Sequence, residues 1–104
     1  VKLAAAEAMN GAAPMKRPIA LLLTMHMPIP ESWSKKRKDL AIRGLIGATV
    51  KPDVDNVCKA VTDAMNGIVY ADDKLIVSAT IVKQYGAVPH VAVRVQEYAE
   101  KEAA

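Results

Sequence analysis

Phenylalanine is absent from this 104-residue chain and tryptophan occurs once, so the core must be assembled from Ala, Val, Leu, Ile and Met. The single cysteine, Cys58, excludes an internal disulfide and predicts a reducing, cytosolic setting. Histidine is nearly as scarce: His26 and His90, far apart and with one thiol, give no basis for a thiolate–imidazole metal centre. No apolar run approaches the ~20 residues of a bilayer-spanning helix, and no secretory signal is visible. The length allows one domain with one core. The first residue is Val rather than Met, as in a fragment or a chain without its natural start.

Charge, by contrast, is plentiful and unevenly placed. The net charge is +3, yet residues 31–51 alone hold Lys35, Lys36, Arg37, Lys38, Arg43 and Lys51 against Glu31 and Asp39, a local excess of four positive charges. Five carboxylates follow at once: Asp53, Asp55, Asp63, Asp72 and Asp73. A basic segment running into an acidic cluster suits an enzyme that grips a polyanion and works on it with a metal.

Residues 1–10 read as a helix closed by Asn10-Gly11. Ile19 to Met27 is an apolar run bounded by prolines, which predicts a buried strand. Ser32 or Ser34 can cap a basic helix to about Arg43, fraying at Gly44. Val50-Lys51-Pro52 should be extended, because proline pushes its predecessor away from the helical region. Asp53 or Asp55 then caps a helix to about Asn66, with Val57, Val61, Ala64, Met65 and Ile68 as its apolar stripe. Asp55, Lys59, Thr62, Asp63 and Asn66 form the polar face, and Asn66-Gly67 is the stop. From Lys74 to Lys83 the residues alternate, with Leu75, Val77, Ala79 and Ile81 on one face and Ile76, Ser78, Thr80 and Val82 on the other. Gln84 to Pro89 is a turn, and Val91, Val93 and Val95 make a returning strand. The tail from Gln96 is charged and alanine-rich and should fray. The order α-β-α-α-β-β predicts a single α+β domain, a small mixed sheet with helices packed on it.

The acids sit at element starts, which converge in a folded domain. Two carboxylates ~4 Å apart repel by about 4 kcal/mol at an effective dielectric near 20, a cost that a cation among them removes. Asp53 and Asp55 can converge on one hard ion such as Mg²⁺, which prefers a few carboxylates plus water and phosphate oxygens. Lys59, one turn beyond Asp55, can reach a phosphate or pair with Asp55 or Asp63. Taken singly, each acid has a plain reading: an N-cap, a surface ion pair, a turn. As a set they invite comparison with known patterns. A calcium-binding EF-hand loop would need an oxygen ligand, a glycine and a glutamate where Val57, Cys58 and Ala64 stand, and fails. Haloacid dehalogenase-type phosphatases share an Asp-x-Asp-x-Val string, but theirs follows a buried strand rather than Lys51-Pro52, and their Rossmann-like core is longer than this chain.

A third pattern fits. Lys51-Pro52-Asp53-Val54-Asp55-Asn56-Val57-x-Lys59-Ala60-x-x-Asp63-Ala64-x-Asn66-Gly67, followed by Tyr70-x-Asp72-Asp73, closely resembles the signature of the RusA family of Holliday junction resolvases. The resemblance extends more loosely through the flanking strands. It implies a homodimeric, Mg²⁺-dependent endonuclease of phage or prophage type that cuts four-way DNA junctions with paired nicks. By position it makes Asp53, Asp55 and Asp73 the metal-binding carboxylates, with Asp72 the alternative member of its pair, and Lys59 the catalytic lysine. The family's opening strand and Gly/Arg-containing loop have no counterpart here, and the basic segment between the first strand and the motif, Ser34 to Thr49, is one that shorter members lack.

On this reading metal-activated water attacks the phosphodiester, since no histidine is placed as a base, and Lys59 stabilises a non-bridging or leaving oxygen. Lys35, Lys36, Arg37, Lys38, Arg43 and Lys51 would contact DNA phosphates without reading bases; the plainer reading of that segment is a solvated helix face. Trp33 reads as a packing anchor rather than a base-stacking platform, and His26 and Cys58 as structural residues. Two rival functions stand beside the nuclease. A catalytically inactive junction-binding protein would have no need of four intact site residues. A metal-dependent phosphatase of small molecules would need neither the basic segment nor a dimer.

Overall fold

The apolar run Ile19–Met27 forms β1, and the rest of the molecule is arranged on it. A computed structural model describes residues 2–100. The order is α1 (Lys2–Met9), β1 (Ile19–Met27), α2 (Lys35–Ile42), α3 (Val54–Met65), a 3-10 turn (Asp73–Leu75), β2 (Ile76–Tyr85) and β3 (His90–Glu97), the α+β succession predicted from sequence. The sheet is mixed, in the order β2-β1-β3, with β2 parallel and β3 antiparallel to β1.

β1 is central in hydrogen bonding but is covered on one face only. Ile19, Leu21, Leu23, Met25 and Met27 are buried, while Leu22 on the opposite face is 39% exposed. The nearly unbroken apolar run, interrupted by Thr24 and His26, thus reflects its place between two strands rather than two covered faces. Each fully buried aliphatic side chain contributes about 1.5–3 kcal/mol. α2 and α3 pack against β2, and α1 against α3.

Three details depart from the sequence reading. The first is the face assignment of β2: its register with β1 shifts between Ile19 and Ala20, so Ile76 pairs with buried Ile19 while Ala79 and Ile81 pair with Leu21 and Leu23. Ile76 therefore joins the inner face, and Val77 is left 57% exposed. Strict alternation fails because an irregular pairing step resets it. The second is that β3 returns but not onto β2. It crosses the end of β1 and pairs along the other edge, with Gly86 N–H donating to Met27 C=O at 3.0 Å. Glycine is needed at this crossing: a Cβ on residue 86 would lie 2.9 Å from His26 Cβ. His26 and His90, register partners, stack here with ring centroids 4.2 Å apart. The third is the tail. Gln96 and Glu97 belong to β3, and Tyr98 N–H still donates to Pro18 C=O at 2.8 Å, because β1 offers partners down to Ile19. Residues 101–104, the last four of the expected frayed end, lie outside the described residues.

Candidate active site at the head of α3

α3 begins where the notably acidic stretch begins. Asp53 occupies the N-cap position with extended backbone (φ −72°, ψ 147°), and Val54 opens the helix. An aspartate there ordinarily spends its carboxylate on the N–H groups of the first turn, worth about 1 kcal/mol. Asp53 makes no such hydrogen bond. Ser34, the N-cap of α2, does the ordinary thing and accepts from Arg37 N–H at 3.2 Å. The carboxylate of Asp53 thus sits in the positive field of a helix start without being consumed by it.

Asp55 lies in the first turn and Lys59 one turn further, both exposed. Among the described residues the one ion pair is Arg43–Asp39 at 3.4 Å, so Lys59 is paired with neither Asp55 nor Asp63. The segment entering the helix bends at Lys51-Pro52, whose peptide bond is cis, in place of the extended run expected. It is held from β2: the half-buried Lys83 donates from Nζ to Val50 C=O at 2.6 Å and to Pro52 C=O at 3.2 Å.

The far end of α3 is built differently. Val61 and Met65 are buried, Asn66 caps the helix, and Gly67 takes φ +81°, the left-handed conformation that closes it. Against the expectation of a core built from Ala, Val, Leu, Ile and Met alone, Tyr70 is fully buried and Tyr85 nearly so, and the Tyr70 hydroxyl donates to Thr62 C=O at 2.6 Å. The Tyr70 backbone bridges to Met15, tying the segment before β1 to this turn. Burial pushes the Tyr70 phenol up to about 12, and the carboxylates of Asp73 and Asp63 add to the effect. One phenol thus feels a carboxylate of α3 and one of the following turn. Asp73 opens the 3-10 turn, and Asp72 caps it, accepting Lys74 N–H at 2.9 Å. That hydrogen bond, first among its causes, holds Asp72 below the usual carboxylate range.

The structure therefore brings Asp53 and Asp55 together at one helix end, with Lys59 on the same helix, and sets Asp72 and Asp73 in a separate turn. Among the described residues no three His, Cys, Asp or Glu side chains are gathered closely enough to hold a metal ion. The donor chemistry nevertheless fits Mg²⁺. Asp53, Asp55 and Asp73 offer hard oxygens, all three are exposed, and none is committed to a protein cation. Asp72 is the poorer candidate, because its turn already uses an oxygen.

In α2, Lys35, Lys36 and Arg37 are exposed and Lys38 is half-buried. Arg37 is partly occupied: its guanidinium lies 4.1 Å from the Trp33 ring centroid. Trp33 in turn meets Tyr85 edge-on at 5.3 Å, which makes it a packing residue, as read from sequence. Arg43 is engaged by Asp39, while Lys51 is exposed in the loop before Asp53. Cys58 is half-buried against the core, also as read. Sequence reasoning missed Lys83 and the hydroxyl of Tyr70. Lys83 had one visible signal, a cation at the inward position of a strand after Ala79 and Ile81.

With this geometry in view, comparison with known proteins gives two findings. The family model described as Endodeoxyribonuclease RusA matches residues 1–96. The chain is also 40% identical over 82 residues to YqaN of Bacillus subtilis (strain 168), a protein named as uncharacterized; the match covers 77% of this chain and 58% of YqaN. The chain thus spans less than two thirds of that relative.

Proposed function

Since this chain belongs to the RusA endodeoxyribonuclease family, we propose that it is a Mg²⁺-dependent, cytoplasmic endonuclease that resolves four-way DNA junctions by paired nicks. The observation that carries the reading is the state of the motif residues. Asp53, Asp55, Lys59 and Asp73 are all exposed, and none is spent in an ion pair among the described residues. Such unpaired charges contribute little stability where they stand, so their use lies in what they bind.

Asp53, Asp55 and Asp73 are the residues that would hold Mg²⁺. When bound, that ion supplies Lewis acidity, lowering the pKa of coordinated water and polarising a phosphoryl oxygen. The ammonium of Lys59 serves the charge that grows on a non-bridging or leaving oxygen, an interaction stronger in the transition state than in the ground state. Asp72 keeps the turn that presents Asp73. Lys35, Lys36 and Lys38 offer a sequence-blind contact to phosphates, with Arg37, Arg43 and Lys51 at its margins.

A four-way junction must be nicked on two strands, whereas one chain carries one carboxylate set. A two-fold dimer is the commonest way to fix two identical sites at a set spacing. The sheet face that no helix covers, with Leu22 and Val82 each more than a third exposed, suits a second copy of the chain. Sedimentation at the monomer mass under conditions of paired cutting would rule this out.

The decisive assay is cleavage of a synthetic mobile four-way junction with and without Mg²⁺. The wild type should nick two opposed strands only with the ion. Asp53→Asn, Asp55→Asn and Asp73→Asn should each lose a hundredfold or more, about 3 kcal/mol of barrier, while binding the junction as tightly or more so. Near-normal turnover by any one of them removes that residue from the site. Wild-type binding without cleavage would favour the junction-binding reading, and hydrolysis of small phosphate esters alone the phosphatase.

A further inference from the structure

Lys83 occupies a place where a sheet ordinarily puts an aliphatic residue. It stands on the inner face of β2, in register with buried Met25 and between Ile81 and buried Tyr85 on the same face. Its stem is half-buried and its ammonium reaches exposed backbone, where it donates two of its three protons to the carbonyls of Val50 and Pro52, at 2.6 and 3.2 Å. No carboxylate lies within 4.0 Å of it among the described residues. Both carbonyls precede the N-cap, so the ladder of α3 does not use them. Among the described residues, this is the polar tie that links the sheet to the approach to Asp53.

We propose that Lys83 is a positioning residue. It clamps residues 50–52 to the sheet and so sets where Asp53 and Asp55 present their oxygens, and it leaves a fixed positive charge behind them. The proposal rests on the reading of those carboxylates as ion ligands. Hydrogen bonds from a charged donor are about twice as strong as neutral ones, and partners that orient ligating groups typically govern 10–100-fold in metal affinity. Lys83 does not touch the reacting phosphate; it acts through the loop.

Binding of Mn²⁺ alone, by electron paramagnetic resonance or calorimetry, tests this without reference to turnover. It is paired with amide hydrogen exchange at Val54–Asn56 and a thermal melt. Lys83→Met should bind Mn²⁺ about tenfold more weakly and exchange faster at those amides, with junction affinity unchanged. Lys83→Arg, which keeps charge and donors, should recover most of the loss. Lys83→Gln serves as a milder variant should the methionine form not fold, and it is judged by the same outcomes. Asp55→Asn is the control. Loss of Mn²⁺ binding in Asp55→Asn with wild-type binding in Lys83→Met would overturn the role of Lys83 alone. Wild-type binding in Asp55→Asn would overturn the ion-ligand reading and this proposal with it.

Discussion

The two ends of α3 are held by different kinds of force. At its C-terminal end, Val61, Met65, Val69 and Tyr70 are buried, a hydroxyl bonds a helix carbonyl, and a glycine closes the last turn. At its N-terminal end Asp53, Val54, Asp55 and Asn56 are exposed, the cap carboxylate bonds nothing in the helix, and one lysine from β2 holds the approach. The first end gains stability from its contacts. The second leaves its carboxylates free, as the proposed ion-binding role requires, and is positioned instead by contacts one step removed. Substitutions at the two ends should separate stability from activity.

The largest effect on stability belongs to Tyr70. Tyr70→Ala should cost about 3–5 kcal/mol by emptying a fully buried ring site, a large share of a small domain's total. Tyr70→Phe is milder, about 1 kcal/mol, because Thr62 C=O keeps its bond from Asn66 N–H at 3.1 Å. Denaturant titration measures both. The phenol also sets an alkaline limit. Its folded pKa is raised to about 12 from 10.0, by burial first and then by Asp73 and Asp63. The neutral form is thus favoured by folding, and its stabilisation is full below pH 10 and lost as pH rises toward 12. Tyr70→Phe should lack that component of the loss, and a pH–stability curve parallel to wild type would break the argument.

What the sequence made legible follows from locality. The bounds of β1 were readable because prolines frame the run, and the close of α3 because Asn66-Gly67 marks it. The motif gave the family because spacing along one chain is all that a motif needs. Other features rest on distant partners. The pairing of β3 with β1 rather than β2 depends on a crossing over the strand end, and the inward turn of Ile76 on an irregular step opposite Ile19. Lys83 reaches carbonyls 31 and 33 residues away, so no local pattern announces its role. Asp53 and Asp55 were both open as N-caps from sequence alone. Only the structure distinguishes an aspartate that occupies the cap position from one that uses it.

That distinction supplies the smallest and sharpest prediction. Ser34 and Asp53 are N-caps of successive helices, both in extended conformation, but only Ser34 accepts a hydrogen bond from its helix. Ser34→Ala should therefore cost about 1 kcal/mol, the usual loss for a working cap. Asp53→Ala should cost about 0.5 kcal/mol or less. It forfeits a modest charge–dipole attraction at the helix start and in return relieves repulsion with Asp55 two residues on. The two variants are compared by urea denaturation at one salt concentration, alongside junction cleavage. The expected pattern is crossed: Ser34→Ala loses stability and keeps cleavage, whereas Asp53→Ala keeps stability and loses cleavage. Should Asp53→Ala cost as much stability as Ser34→Ala, its carboxylate is capping α3 in solution, and its freedom to hold an ion would have to be abandoned.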